Sequence, residues 1–223
     1  MSTAPTAPTA APPAAPREGA IALLLCAVAG YADAVGYLQM GVFAANMTGN
    51  SVLLAIGLAQ QQWAASAERA ATVGCFFAGA VLGRLLLRLA GQRASAPLLA
   101  EALLLGAALG SEPRHALALW LMAAAMGVQA SAMTRFSGAA LSTVVMTTTM
   151  ARLARAVADA LVVPFGMKPP AAAEPVGPLL GTWLAYALGA AVATLLLPRL
   201  AAPLWPTVAV LCGLCAFLAW KKR

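Results

Sequence analysis

The sequence predicts an all-α, polytopic transmembrane helical bundle, and three observations lead to this prediction. The chain has 223 residues, of which 62% are hydrophobic and only 9% are charged, and its mean hydropathy is +0.84. Soluble domains carry roughly 25% charged residues, so a water-soluble fold is excluded. Between residues 21 and 220 the chain offers a series of apolar stretches, most of them near the ~20 residues that cross a bilayer. These stretches are continuously apolar, whereas the strands of a membrane barrel alternate in polarity.

The apolar segments are expected at residues 20–40, 42–59, 70–90, 97–110, 115–133, 139–163, 179–197 and 203–220. Together they predict one transmembrane domain, 19–223, built from six to eight segments. Residues 1–18 precede it and consist mainly of Ala, Pro and Thr. Such a composition cannot bury enough apolar surface to fold, so these residues are predicted to form a disordered tail.

Two of the segments are expected to be discontinuous or re-entrant helices. Segment 42–59 contains the polar run Asn-Met-Thr-Gly-Asn-Ser at 46–51, and segment 139–163 contains Ser-Thr at 142–143 and three threonines at 147–149. Asn, Thr, Ser and Gly are poor residues for a helix interior, because their side chains or free backbone compete for other conformations. In secondary transporters, broken helices of this kind surround the substrate site.

The chain also shows an internal repeat, with halves at about 20–110 and 115–220. Residues 30–37 match 127–134, the run 46–50 falls opposite 145–149, and residues 77–87 match 186–197. Four full spans in each half would make the two halves parallel. Three spans and one re-entrant segment would make the second half inverted, and the sequence leaves both arrangements open.

Basic residues indicate the orientation of the chain in the membrane. For eight full spans, nine lie on the side of the termini, namely Arg17, Arg69, Arg114, Arg152, Arg155, Lys168, Lys221, Lys222 and Arg223, and five on the other. The positive-inside rule therefore places both termini in the cytoplasm. The net charge of +7 has this explanation, and no nucleic-acid partner is expected.

Asp33 is the clearest candidate for a functional residue, because a charged group at the bilayer centre costs about 2.5–3.5 kcal/mol on insertion scales. It is either a proton or cation site or a structural hydrogen-bonding group. Glu101 is expected to extend its side chain to the membrane interface, and the alternative is that it belongs to a polar pathway. The proposed ligand or translocation pathway comprises Asp33, Asn46, Thr48, Asn50, Gln129, Thr143, Thr147 and Arg152, with Arg152 meeting either Asp33 or an anionic ligand.

Enzymatic activity, cofactors and metal ions are not expected. An intramembrane protease would need a serine with an interior histidine, or two midmembrane aspartates. The spacing of Cys212 and Cys215 is typical of metal or redox sites, but no second pair or histidine accompanies them. These cysteines are interpreted as small apolar packing residues.

The residues that carry a family resemblance are Gly-Tyr-Ala-Asp-Ala-Val-Gly-Tyr-Leu at 30–38 and Gly-Val-Phe-Ala-Ala-Asn-Met-Thr-Gly-Asn at 41–50. Together with Gly-Val-Gln at 127–129 and the run at 141–148, they resemble the YoaK family of bacterial membrane proteins, a group of unknown function. The resemblance covers the chain from residue 20 onward and implies a bacterial inner-membrane protein. This chain has Ala130 where that family typically carries an asparagine.

Taken together, these features predict a small-solute or ion permease of the bacterial inner membrane, with a polar midmembrane site formed by the two halves. The alternative is a scaffold or partner subunit that transports nothing, in which the same polar runs only pack helices. The expected partners are the lipid bilayer and an unidentified small solute or ion, and oligomerisation remains open.

Overall fold

The computed structural model describes residues 16–111, 116–133, 146–165 and 173–220, and every regular element in these ranges is helical. The helices are α1 Pro16–Met40, α2 Met47–Ala59, α3 Trp63–Leu89, α4 Ser95–Leu109, α5 Ala116–Met133, α6 Met146–Val162, α7 Val176–Leu196 and α8 Trp205–Trp220. A 3₁₀ turn, Val163–Phe165, follows α6. The predicted all-α fold is confirmed.

Three helices in the described ranges are long and apolar enough to cross a membrane, namely Glu18–Met40 within α1, Trp63–Leu89 and Val176–Leu196. Four more are apolar but shorter: Met47–Ala59, Ser95–Leu109, Ala116–Ser131 and Trp205–Trp220. Residues 16–18, assigned to the tail from sequence, belong to α1, because its apolar run begins directly after them. The rest of that predicted tail and residues 134–145 lie outside the described ranges.

Two helix pairs cross with their backbones in close contact, and a glycine on each helix makes each crossing possible. A Cβ atom placed on Gly30 of α1 would lie 2.0 Å from the carbonyl oxygen of Tyr186 on α7, and one on Gly189 of α7 would lie 2.0 Å from that of Ala27. Small residues allow helices in membranes to pack this closely. In this crossing each glycine contacts the carbonyl three positions before the partner's glycine.

The crossing of α3 with α5 has the same arrangement. A Cβ on Gly79 would lie 2.0 Å from the carbonyl oxygen of Ala124, and a Cβ on Gly127 would lie 2.0 Å from that of Phe76. Further along the pair, Gly83 faces Val128. Because positions 79 and 83 face 124 and 128 in the same order, α3 and α5 run parallel.

Helix α1 runs antiparallel to α5. Near the carboxyl end of α1, Gly36 faces Leu119 close to the start of α5, while the side chain of Gln129 near the end of α5 donates to the Leu25 carbonyl at 3.0 Å. Since α3 is parallel to α5, α1 and α3 also run in opposite directions.

Helices α2 and α3 form an antiparallel hairpin. Gly57 faces Ser66, and the Arg69 guanidinium donates to the carbonyl of Leu53 at 3.0 Å. Gln61, with φ of 59°, makes the tight turn between the two helices. Helix α2 therefore points back towards the level at which α1 ended.

Candidate functional site

The candidate site is built around Asp33, which is 3% exposed on α1. One carboxylate oxygen, Oδ1, accepts hydrogen bonds from the backbone amides of Ala45 at 2.5 Å and Asn46 at 3.1 Å. The other, Oδ2, accepts from the hydroxyl of Tyr186 on α7. All three partners are donors, so the arrangement fits an ionised carboxylate, which can accept on both oxygens.

The amides that reach Asp33 belong to residues 41–46, here called the apex segment, which joins α1 to α2. Gly41 has a φ of +69°, which reverses the chain after α1 with no steric cost. The segment then runs back along α1, where Gly36 lets the backbone of Val42 approach closely. As a result, Ala45 and Asn46 lie about two turns below the carboxyl end of α1.

Asn50 and Asn46 hold the apex segment in this conformation. The Asn50 side chain is fully buried and bonds twice to Phe43, accepting from its amide at 2.9 Å and donating to its carbonyl at 2.7 Å. The Asn46 side chain accepts from the amide of Gly49 at 3.0 Å and so caps the amino end of α2. Tyr37 stacks on Phe43 with ring centroids 4.7 Å apart.

The structure brings together part of the predicted pathway. Asp33, Asn46 and Asn50 meet at the apex segment, and Thr48 lies beside them on an exposed position in the first turn of α2. Gln129 is buried and bonds to the carbonyl of Leu25, eight positions from Asp33 on α1.

The remaining predicted residues belong to the second half of the chain. Thr143 lies outside the described residues, and Thr147 is exposed on α6. Arg152 donates to Glu174 at 2.8 Å in an ion pair just before α7. The described partners of Asp33 are the amides of Ala45 and Asn46 and the hydroxyl of Tyr186, whereas Arg152 pairs with Glu174. A contact of Arg152 with an anionic ligand stays a prediction.

Sequence reasoning missed Tyr186 as a site residue. It lies in an uninterrupted apolar run, and its 153-residue separation from Asp33 leaves no local pattern that connects the two. A signal did exist, because a tyrosine hydroxyl inside an apolar span needs a hydrogen-bond partner there. Asp33 was the ionisable group already assigned to the membrane interior.

The position of the Glu101 side chain also differs from the one expected from the sequence. It lies on α4 with 0% of its surface exposed, and neither carboxyl oxygen has a hydrogen-bond partner among the described residues. The prediction that its side chain reaches the membrane interface was wrong. The side chain points into the packed protein interior, where α5 and α8 cover α4.

The described residues contain no group of three or more His, Cys, Asp or Glu side chains that could hold a metal ion. The described partners of Asp33 are two backbone amides and one hydroxyl, so the interactions that it makes at the apex segment are hydrogen bonds.

The fold and the buried polar centre define an α-helical membrane protein. The chain belongs to the DUF1275 family, described as a protein of unknown function, whose sequence pattern matches residues 21–219. It is 33% identical over 153 residues to the UPF0700 transmembrane protein YoaK of Bacillus subtilis (strain 168), covering 63% of this chain and 67% of that protein. The resemblance to the YoaK family is thus confirmed. No solved structure matches the chain.

Proposed function

We propose that this protein is a small-solute or ion permease of the bacterial inner membrane, with its polar site between two halves of inverted topology. The observation that carries the proposal is the cluster at Asp33. An ionisable side chain in a transmembrane helix is costly and marks a functional site by default. Asp33 and the apex segment come from the first half, and Tyr186 comes from the second, so movement between the halves would change the site directly.

The apex segment and α2 fit a re-entrant hairpin. Because α1 and α3 run in opposite directions, the connection between them has to begin and end on the same side of the membrane. Helix α2 has 13 residues, about 20 Å, and is shorter than the ~30 Å hydrocarbon core. Irregular backbone at membrane depth is tolerated where it is buried in protein, and bonds to Asp33 and Asn50 supply that protection.

The two glycine crossings support the internal duplication. In the repeat, Gly30 corresponds to Gly127 and Gly79 to Gly189, so the α1–α7 crossing corresponds to the α5–α3 crossing. Both have the same pattern of contacts. Helix α1 is antiparallel to its counterpart α5, which favours inverted halves over parallel ones.

Basic residues favour the same topology of three spans and one re-entrant segment per half. With the amino terminus in the cytoplasm, this scheme leaves three basic residues on the outer side, namely Arg69, Arg114 and Arg199, and eleven on the inner side. Eight full spans gave nine against five. The larger bias is the one expected from the positive-inside rule.

Cysteine accessibility distinguishes these two topologies. Single cysteines would replace Gln61, Gln92 or Ser111 in a variant whose four native cysteines are changed to alanine. A membrane-impermeant maleimide added to intact cells should label positions 61 and 111 but not 92 if the halves are inverted. Labelling of position 92 from outside, with position 61 protected, would instead establish eight full spans.

In the proposed mechanism, solute binds beside the apex segment, where Asn46 and Thr48 present polar groups at the amino end of α2. Protonation of Asp33 would remove part of its capacity to accept bonds from the apex amides and Tyr186. That change would loosen the contact between the halves. Thr147 and the neighbouring threonines of α6 are proposed to line the opposite wall.

Transport is tested with the purified full-length chain in liposomes, by screening uptake of small metabolites and ions while an internal dye reports pH. Asp33→Asn should lower substrate-dependent flux by at least about ten-fold, the rate effect of roughly 1.4 kcal/mol. Glu18→Gln is the matched control, because it also removes one negative charge but lies exposed in the first turn of the same helix. Flux that Asp33→Asn leaves unchanged would overturn the proposed role of the site.

The scaffold alternative is supported by one specific observation. The described partners of Asp33 already occupy both carboxylate oxygens, which suits a residue that fixes helix packing. A scaffold would be folded, and Asp33→Asn would reduce its stability, but no member of a broad solute panel would cross the membrane. That outcome would replace the permease proposal.

A further inference from the structure

We propose that Glu101 is a proton-binding site in the protein interior, distinct from the Asp33 cluster and reached from a cavity between the helix ends. Protonation of Glu101 does not depend on transport. The two buried carboxyl groups of the described chain, Asp33 and Glu101, lie in different environments, and this difference supports the proposal.

Asp33 has three hydrogen-bond donors directed at its oxygens, whereas Glu101 has none in the described part of the molecule. Burying an ionised carboxylate without partners is far more costly than burying a neutral carboxylic acid. Glu101 is 0% exposed, so bulk solvent does not reach its oxygens. Its side chain therefore carries a proton, while Asp33 is held as a carboxylate.

No cationic side chain compensates Glu101 in the described surroundings. Helix α5, which packs along α4, contains no ionisable residue. Helix α8, which also packs against α4, contributes only the partly buried thiol of Cys215 and the exposed Cys212, and neither is cationic. On α3, which contacts α4 near their connection, Arg84 and Arg88 are exposed.

A proton fits this site better than a metal cation does. Alkaline-earth ions take about six or more oxygen ligands, and Glu101 offers only its own two oxygens amid apolar neighbours. On the same helix, Leu98 and Leu105 are fully buried, and Ala102 is nearly so. The bound species is therefore a single proton on the carboxyl group.

A cavity of about 50 Å³ provides a route to this proton. It lies among the ends of α1, α4 and α5 and the connection between α7 and α8, and its lining includes Gln39, Ala108 and Ser111. That volume is sufficient for water. Ala108 lies seven positions after Glu101 on α4, about 10 Å along the helix. Leu105 is fully buried, lies four positions after Glu101 and three before Ala108, and so shares their face of α4.

The test uses dicyclohexylcarbodiimide, an apolar reagent that reacts with protonated carboxyl groups in apolar surroundings. The carboxyl oxygen bonds to the central carbon of the carbodiimide and the carboxyl proton moves to one of its nitrogens. The resulting O-acylisourea rearranges to a stable N-acylurea without loss of atoms. Modified protein is therefore heavier by one whole reagent molecule.

At neutral pH, the folded full-length chain in detergent should gain one adduct out of its seven acidic residues, and peptide mapping should assign it to Ser95–Leu109. Glu101→Gln should lose the adduct, and Asp33→Asn should retain it. Labelling should fall as the pH is raised, because the reactive acid is deprotonated. Leu105→Val should increase the labelling rate by opening the path from the cavity.

Absence of an adduct on folded protein, or an adduct that persists in Glu101→Gln, would overturn the inference. If Glu101→Gln fails to elute as a folded species, Glu101→Asp keeps the acid and should keep the adduct on the same peptide. Labelling and flux are independent readouts. A labelled protein that transports nothing would refute only the permease proposal, and a transporting protein without the adduct would refute only the proton site.

Discussion

The α1–α7 and α3–α5 crossings share one backbone geometry but differ in chemistry. In both, a glycine on each helix lies against the carbonyl three positions before the partner's glycine. Three positions after the glycine of α1 is Asp33, and three before the glycine of α7 is Tyr186. The corresponding positions in the α5–α3 crossing hold Ala130 and Phe76.

This difference distinguishes the close glycine–carbonyl packing from the polar site. Close backbone contact stabilises a helix crossing through dispersion and weak Cα–H···O contacts, and it operates in both pairs. The buried acid and its hydroxyl partner occur in only one of them. A crossing of this geometry therefore forms without a polar pair in α3–α5, and the polar pair is an additional feature of α1–α7.

Removing the Asp33 carboxylate should cause the largest loss in the free energy of unfolding. Asp33→Ala leaves two amides and one hydroxyl without an acceptor, and each buried unsatisfied group costs about 1–3 kcal/mol. We expect a loss of roughly 3–5 kcal/mol in the free energy of unfolding, measured by denaturant titration in mixed micelles. Ala130→Gly, a small change at the corresponding position, is the control, and equal losses in both variants would contradict the asymmetry.

Substituting the crossing glycines should cause the second largest loss of stability, and the loss should be similar for both crossings. Gly30→Ala and Gly127→Ala each place a methyl group against a backbone carbonyl, so the helices have to separate, with an expected loss of about 1–3 kcal/mol. Gly74→Ala and Gly213→Ala are matched controls, because a Cβ there meets no atom within 4 Å. If the melting temperatures of Gly30→Ala and Gly127→Ala differ by more than those of the two controls, the two crossings are not equivalent.

Exchanging the aromatic residues Tyr186 and Phe76 should change the stability of the two crossings by a smaller amount. Tyr186→Phe removes one hydrogen bond to a charged group and should lower stability by about 1.5–3 kcal/mol, towards the lower end because the amides remain. Phe76→Tyr adds a hydroxyl where Ala130 offers no acceptor and should also destabilise. Combining Phe76→Tyr with Ala130→Asp should recover part of that loss, and a double-mutant cycle in denaturant measures the coupling.

The smallest effect should come from the ion pair outside both crossings. Arg152 and Glu174 lie 2.8 Å apart with side chains 14% and 38% exposed. Partly exposed ion pairs contribute about 0–1 kcal/mol, so Glu174→Gln should shift the unfolding midpoint only slightly, and less in high salt. A shift as large as that of Tyr186→Phe would mean that this pair belongs to the functional centre.

Local sequence patterns were sufficient to predict the helical elements and part of the site. Hydrophobic runs gave the helices, and the polar run at 46–51 marked the amino end of α2, because both are properties of neighbouring residues. The irregular segment itself lies earlier, at residues 41–46, and residues 47–51 are helical. The internal repeat stays a prediction.

What could not be predicted depends on contacts between distant parts of the chain. Glu101 resembles a residue that extends to the interface, and only the packing of α5 and α8 over α4 reveals its burial. Arg152 has several possible acidic partners in the sequence, and the structure shows that it pairs with Glu174, just before α7. The roles of Gln129, Thr143 and Thr147 in a pathway remain predictions.

The bonds that hold the apex segment have a consequence for the order of assembly during synthesis. Asn50 bonds to a residue seven positions away and Asp33 to one twelve positions away, but the Tyr186 bond spans 153 residues. At roughly 5–20 residues per second, Tyr186 is made about 8–30 s after Asp33. During that interval the backbone amides of Ala45 and Asn46 are the described partners that can bond to the carboxylate, so the apex segment is expected to stabilise Asp33 before α7 is synthesised.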